Sequence, residues 1–153
     1  TFIKQLNLAL LYYLIKMVNT LDMQDLRQLN LFQKVTGIRT RFCFEYNNMV
    51  LYCVPKPLVA KAVGKEASNL KRIGQVLKKR IKIIPIPEDG DVKAFIQAIV
   101  SPVEFKELEV KEDEVILAAG PQSKAALLGR NKRRLLEMQE IIKGFFGKGF
   151  RII

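Results

Sequence analysis

Residues 50–65, VLYCVPKPLVAKAVGK, and residues 115–130, VILAAGPQSKAALLGR, follow one pattern. Each stretch begins with an apolar run, is broken by proline, continues through a short helix-like segment, and reaches a glycine followed by a basic residue. The apolar run starts 14 residues before the glycine in both copies (50 to 64 and 115 to 129), and the copies lie 65 residues apart. A repeat of this length can fold as a small unit with its own core, so the sequence predicts one fold used twice.

Positive charge is concentrated just after each repeated glycine. The 153 residues carry 26 Lys and Arg against 15 Asp and Glu, which gives a net charge of +11. Eight positive charges and one acid, Glu66, lie between residues 61 and 82, and a second basic cluster occupies residues 130–134. Such clusters are typical of proteins that bind a polyanion, although a solvated basic surface would give the same composition. Their position after the glycines favours nucleic acid as the partner.

The chain contains no histidine and two cysteines, Cys43 and Cys53. Because no nucleophile–base pair, metal-ligand cluster or nucleotide-binding fingerprint is present, we expect neither an enzyme nor a metal or cofactor site. The cysteines lie on the two strands of a hairpin around Asn47-Asn48. A two-residue turn would place Cys43 opposite Tyr52 with the sulfurs on opposite faces, and a three-residue turn would bring the sulfurs together. We expect free thiols in a reducing, cytoplasmic environment.

An apolar stretch at residues 2–18 precedes the repeats. It contains Lys4 and Lys16 and is shorter than the ~20 residues that a membrane span needs. It also lacks the basic leader and small-residue cleavage site of a signal peptide. We expect residues 1–20 to form a helical extension that docks on the body of the protein or on a second copy of the chain as a homodimer. A membrane-surface anchor is the alternative.

Hydrophobic periodicity and helix caps predict the same element order in each copy. In the first copy, Asp22 caps a helix that ends at Gly37, and a hairpin, two helices and a strand follow at 38–45, 49–54, 57–63, 68–79 and 81–86. Asp91 then caps a helix that ends at Ser101-Pro102 and is expected to pack across the junction between the copies. The second copy is predicted as strands from 104 and at 114–119, helices at 122–128 and 133–146, and a strand at 150–153. The predicted class is α+β, with helices on one face of each three-stranded sheet.

This order resembles a pair of KH domains, RNA-binding modules in which a G-X-X-G loop joins two helices. The helix-first arrangement is similar to the type II form of prokaryotes, and the chain resembles the archaeal NusA-like family of transcription termination and antitermination factors. The resemblance covers residues 26–153 and rests on LFQKVTGI (31–38), AVGK (62–65), NLKR (69–72) and FIQAIVSP (95–102). It implies a first KH domain at 21–87, a linker helix at 88–102 and a second KH domain at 103–153.

The resemblance also implies that single-stranded RNA binds at the two loops. The implied RNA-binding residues are Gly64, Lys65, Glu66, Ala67, Asn69, Lys71, Arg72, Gly129, Arg130, Asn131, Lys132, Arg133 and Arg134. Amides at each following helix N-terminus and the nearby basic side chains would contact phosphates. Both loops keep the first glycine of the family pattern and replace the last, by Ala67 and by Lys132. The alternative for each glycine is a plain hinge between two helices that binds nothing.

The function implied is an RNA-binding accessory factor of transcription, concerned with termination and its regulation, with RNA polymerase as a candidate partner. The alternative hypothesis has the same fold. In it, the chain is a protein-docking or dimerisation subunit, associated with polymerase or the ribosome, with weakened RNA binding.

Overall fold

The computed structural model describes residues 23–87 and 91–153. The predicted N-terminal extension at 1–20, its homodimer contact at 2–18, the cap at Asp22 and the turn at 88–90 lie outside the described residues.

Two units share the order strand–strand–helix–helix–strand and are joined by a helix. The first unit contains α1 (Met23–Thr36), β1 (Phe42–Tyr46), β2 (Met49–Val54), α2 (Val59–Val63), α3 (Ser68–Leu77) and β3 (Arg80–Pro85). Helix α4 (Val92–Val100) follows, and the second unit contains β4 (Glu107–Val110), β5 (Glu114–Ala118), α5 (Pro121–Leu128), α6 (Arg133–Phe146) and β6 (Gly149–Ile152). Single 3-10 turns occupy Lys56–Leu58, Lys65–Ala67 and Arg130–Lys132. Helix α4 precedes β4 as α1 precedes β1, so each hairpin follows a helix.

Each unit contains a mixed three-stranded sheet whose middle strand comes from the repeated pattern. The strand orders are β1-β2-β3 and β4-β5-β6. In both sheets the first pair is antiparallel and the second pair is parallel, because the two helices of each unit carry the chain back to the side where the middle strand began. The predicted α+β class, with two tandem KH-type units, is confirmed.

The β1–β2 hairpin has the two-residue turn. Asn47 and Asn48 have φ values of 54° and 58°, a conformation that asparagine tolerates well in tight hairpins. Cys43 pairs opposite Tyr52, and Cys53 pairs opposite Phe42. The two sulfurs therefore lie on opposite faces of the sheet and enter different cores. Burial raises the pKa of the Cys53 thiol well above its usual range.

The first sheet is covered on both faces. One face packs against α1, α2 and α3, where Phe32 stacks on Tyr52 with ring centroids 4.4 Å apart and Ile73 is fully buried. The opposite face, which includes Leu51 and Cys53, packs against α4 and the second unit in one continuous core. The helices of the first unit thus cover one face, as expected, and the second unit supplies a further layer on the other.

Helix α4 and an aromatic cluster hold the units together. The ring of Phe145 on α6 lies 4.6 Å from Phe95 on α4, and 5.8 Å from both Phe42 and Phe44 on β1. The expected packing of α4 across the junction is therefore confirmed. These rings belong to the continuous core that the two units share, so burial of aromatic surface joins the units.

Both ends of α4 are fixed by polar contacts. Asp91 Oδ1 accepts a hydrogen bond from the amide of Ala94 at 3.2 Å, which confirms the predicted cap. At the other end, Lys82 Nζ on β3 donates to the carbonyls of Ile99 at 3.3 Å and Ser101 at 3.0 Å. A cation at a helix C-terminus is favourable, although burial, followed by nearby Arg80, lowers the pKa of Lys82.

Candidate nucleic-acid interface

The two loops share one backbone conformation. Gly64 has φ 80° and ψ 169°, and Gly129 has φ 73° and ψ 174°. The third and fourth residues of each loop are left-handed, with φ from 55° to 58°: Glu66, Ala67, Asn131 and Lys132. In each loop the amide of the fourth residue donates to the carbonyl of the glycine at 3.2 Å. The repeat in sequence is therefore a repeat in loop geometry.

Glycine is required at the first loop position. Its combination of positive φ with ψ near 170° is a region that residues with a Cβ essentially do not occupy. A Cβ on Gly64 would also lie 2.9 Å from Asn69 Cγ, and one on Gly129 would lie 3.1 Å from the amide nitrogen of Arg134. These glycines therefore let the following helix approach closely, which a simple flexible hinge would not need.

The last position of each loop is left-handed although a residue other than glycine occupies it. Ala67 and Lys132 both adopt the left-handed conformation that a glycine would adopt without steric cost. A residue with a Cβ pays on the order of 1–2 kcal/mol for that conformation. The two loops therefore hold this conformation at some cost in stability, and they carry a side chain where the family pattern has none.

The charged side chains of the first loop region face solvent. Lys65, Glu66, Lys71 and Arg72 are all exposed. Asn69 is half-buried, and its Nδ2 donates to the carbonyls of Ala62 at 3.1 Å and Lys61 at 3.3 Å. Asn69 therefore connects the first turn of α3 to the last turn of α2 across the loop.

The second loop region presents a stronger positive charge. Arg130, Asn131, Lys132 and Arg133 are exposed, and no acid lies among them, whereas Lys65 in the first loop is followed by Glu66. Arg134 is different, because its Nη1 donates to Glu137 Oε1 on the next turn of α6 and its side chain is only 14% exposed.

The carboxylate of Glu137 also reaches the first unit. Its Oε1 accepts a hydrogen bond from the amide of Asn47, in the β1–β2 turn, at 3.2 Å. Tyr46 lies beside this group, and burial raises the pKa of its phenol to about 12, with smaller opposing effects of Arg134 and Glu137. Nothing in the sequence marks this contact between Asn47 and Glu137, because the two residues lie 90 positions apart along the chain.

The arrangement can receive anions at two equivalent places. Helix α3 begins at Ser68 and α6 at Arg133, directly after the loops, and neither N-cap side chain accepts a hydrogen bond from the first turn. The amides of Ser68 and Arg133 themselves donate to the carbonyls of Lys65 and Arg130, so the amides that an anion can reach are those that follow them. Unpaired amides at a helix N-terminus carry partial positive charge and bind phosphate groups. Across residues 23–87 and 91–153, no three Cys, Asp or Glu side chains gather as metal ligands.

None of the helices in the described ranges is long and apolar enough to cross a membrane.

No protein-family model matches this chain, but it resembles known proteins in sequence and in fold. The chain is 27% identical over 113 residues to a probable transcription termination protein NusA of Methanococcus vannielii, which corresponds to 71% of this chain and 64% of that protein. It is 24% identical over 127 residues to a protein of the same name in Methanocaldococcus jannaschii, or 80% of this chain and 68% of that protein. The chain thus spans about two thirds of the length of these relatives. The crystal structure of APE1850 aligns with a TM-score of 0.61 over 87% of this chain and 99% of that chain, at 19% identity, which shows a shared fold.

Proposed function

We propose that this NusA-like chain is a cytoplasmic, RNA-binding accessory factor of transcription that holds single-stranded RNA at two KH loops. The observation that carries the proposal is the repeated loop geometry, a glycine followed by two left-handed residues, beside exposed cations in both units. In this proposal the KH domains are residues 21–87 and 103–153, joined by the linker at 88–102. The relatives named as probable transcription termination proteins support the connection with transcription, and RNA polymerase is the expected protein partner.

The phosphate contacts come from exposed cations in the loops and in the first turns of α3 and α6. These cations are Lys65, Lys71, Arg72, Arg130, Lys132 and Arg133. Amides of the same turns would add hydrogen bonds to phosphate oxygens. Asn69 and Arg134 instead support the loops, because each already makes a hydrogen bond within the protein.

Such contacts go to the RNA backbone, so selectivity for sequence is modest and salt dependence is steep. Each phosphate contact to a single strand contributes a slope of about −0.7 to log K against log salt, so six contacts would give a slope of about −4. Single-stranded RNA is preferred over duplex RNA, because KH loops clamp a strand whose bases are splayed out.

Fluorescence anisotropy with single-stranded RNA, duplex RNA and single-stranded DNA at ~0.15 M salt tests the proposal. We expect the tightest binding to single-stranded RNA, and a loss of about tenfold, or ~1.4 kcal/mol, for Lys65→Glu and for Arg130→Glu. The matched control is Lys93→Glu, which makes the same charge reversal on α4 at an exposed side chain that lines a cavity beside the second sheet. Equal affinity for single-stranded and duplex RNA, or an equal loss in the control, would refute loop-based binding.

A further inference from the structure

A short series of contacts connects the second loop to the first unit. Arg134 packs directly against Gly129, since a Cβ on that glycine would lie 3.1 Å from the Cβ and the amide nitrogen of Arg134. Arg134 Nη1 donates to Glu137 Oε1, and the same oxygen accepts the N–H of Asn47 at 3.2 Å. Because Asn47 belongs to the β1–β2 turn, the series runs from the second loop into the other unit.

The equivalent position of the first loop is held differently. Asn69 follows Gly64 by five residues, as Arg134 follows Gly129. Asn69 donates to the carbonyls of Ala62 and Lys61, so it fixes the first loop within its own unit. The fifth residue after the glycine therefore supports the loop in both units, but only the second loop is supported through the neighbouring unit.

The surroundings make this connection stiff. The side chains of Arg134 and Glu137 are 14% and 20% exposed, so water screens their ion pair less than a surface pair. Asn47 is held in a two-residue turn that leaves its amide little freedom. The aromatic cluster of Phe145, Phe95 and Phe42 packs between the same two units.

We propose that Arg134 and Glu137 are positioning residues that hold the second loop in a fixed orientation to the first, so that one RNA strand meets both loops without rearrangement. This inference rests on the proposed function. When two sites are preset in this way, binding at the second becomes intramolecular, and affinity for a strand that reaches both exceeds the affinity for one site by a factor of about 10²–10⁴.

Removal of the Glu137 side chain distinguishes a positioning role in RNA binding from a purely electrostatic one. Loss of its carboxylate exposes the Arg134 cation and removes one negative charge, so a purely electrostatic role predicts tighter binding of every RNA. A positioning role predicts a loss confined to RNA long enough to reach both loops. The informative quantity is therefore the ratio of association constants for a long and a short strand.

The experiment measures this ratio with oligouridine of about 6 and about 24 nucleotides, since one KH loop clamps about four nucleotides. We expect Glu137→Ala to lower the ratio threefold to tenfold relative to the wild type. The control is Glu140→Ala, which makes the same change of charge at an exposed position on the same helix and should keep the wild-type ratio. Glu137→Gln retains an oxygen that can accept from Asn47 and should give an intermediate ratio. It also replaces the alanine variant if that variant does not fold.

Amide hydrogen exchange tests the connection without RNA. In Glu137→Ala the exchange of the Asn47 amide and of residues 130–133 should accelerate, whereas Glu140→Ala should leave it unchanged. Equal ratios for Glu137→Ala and Glu140→Ala overturn the inference while leaving RNA binding in place. A wild type that binds neither strand overturns the proposed function instead. In that case the exchange measurement still tests the connection, and unchanged exchange of the Asn47 amide in Glu137→Ala overturns the positioning role.

Discussion

Replacement of Gly129 by alanine should destabilise the protein much more than replacement of Gly147. The two glycines are well matched. Each ends a helix with positive φ, 73° at Gly129 and 66° at Gly147, and each donates its amide to the carbonyl four residues earlier, at 3.0 Å and 2.9 Å. They differ in ψ, which is 174° at Gly129 and 25° at Gly147, and in their surroundings.

The expected magnitudes follow from these differences. Gly147 is in the left-handed region with nothing within 4 Å of a built Cβ, so alanine costs ~1–2 kcal/mol there. The stiffer unfolded chain offsets ~0.4–1 kcal/mol of that cost, which leaves a net loss of about 1 kcal/mol. At Gly129 the backbone strain is up to ~3 kcal/mol, and contact with Arg134 adds ~1–3 kcal/mol of overpacking. The net loss there should be about 2–4 kcal/mol.

Urea unfolding followed by circular dichroism measures both losses. With a slope of about 2 kcal/mol per molar urea, Gly129→Ala should lower the midpoint by ~1–2 M and Gly147→Ala by about 0.5 M. The RNA affinity of Gly129→Ala should also fall, because the loop must open to accept the Cβ, whereas that of Gly147→Ala should persist. Equal midpoints for the two variants would show that Gly129 is an ordinary helix end and that the close approach of Arg134 is not required.

Three further predictions follow from the loops and from the buried tyrosine. Ala67→Gly relieves a left-handed alanine and should raise the unfolding free energy by about 0.5–1 kcal/mol. Ser68→Gly, at φ −59° in the next helical residue, should lower it by about 0.5 kcal/mol, and urea unfolding distinguishes the two. Glu66→Gln removes the acid beside Lys65 and should tighten single-stranded RNA binding about twofold to threefold at low salt, and an equal gain in Glu140→Gln would trace the effect to net charge alone. Burial raises the pKa of Tyr46 to about 12 from 10.0, so the unfolded chain loses this proton first and stability falls as pH rises from about 10 to 12. Tyr46→Phe should remove about 1–2 kcal/mol of that fall, and identical slopes of unfolding free energy against pH in both proteins would show that the phenol does not contribute.

Local sequence patterns were sufficient to predict most elements because each pattern acts through nearby residues. Strand β2 and helix α6 have the predicted bounds, Met49–Val54 and Arg133–Phe146, since an apolar run between turns and a long amphipathic stretch are strong signals. Strand β1 starts at Phe42 rather than at residue 38. Ile38 is buried against the first core, and its amide donates to the Thr36 side chain instead of to a neighbouring strand. The alternation of β-branched and basic residues at 38–41 therefore reflects burial of Ile38 without strand pairing.

The hydrogen bonds that the side chains of Asn69 and Arg134 make within the protein were less accessible to sequence reasoning. The resemblance implies both as RNA-binding residues, Asn69 through the amide at a helix N-terminus and Arg134 through its basic side chain. Their hydrogen bonds to Ala62 and Glu137 depend on how closely the helices on either side of each loop approach each other. The glycine of the loop determines that distance, and the identity of the polar residue does not predict it. Their equal spacing from Gly64 and Gly129 was a signal of a shared role, but spacing alone does not distinguish support of the loop from contact with a ligand.

The covered second face of the first sheet explains why the loops function as parts of one body. Residues 50–54 form an uninterrupted apolar run, and a strand with no polar position along such a run is expected to be buried on both faces. Its own helices can cover only one face, so the run itself called for a second layer, and α4 with the second unit supplies it. An isolated first unit would expose Leu51, Cys53 and Ile84 to water, which costs roughly 25 cal/mol for each Å² of apolar surface. The hydrophobic effect that joins the units therefore also sets the relative orientation of the two units, and affinities measured on separated units would not combine to give the affinity of the intact chain.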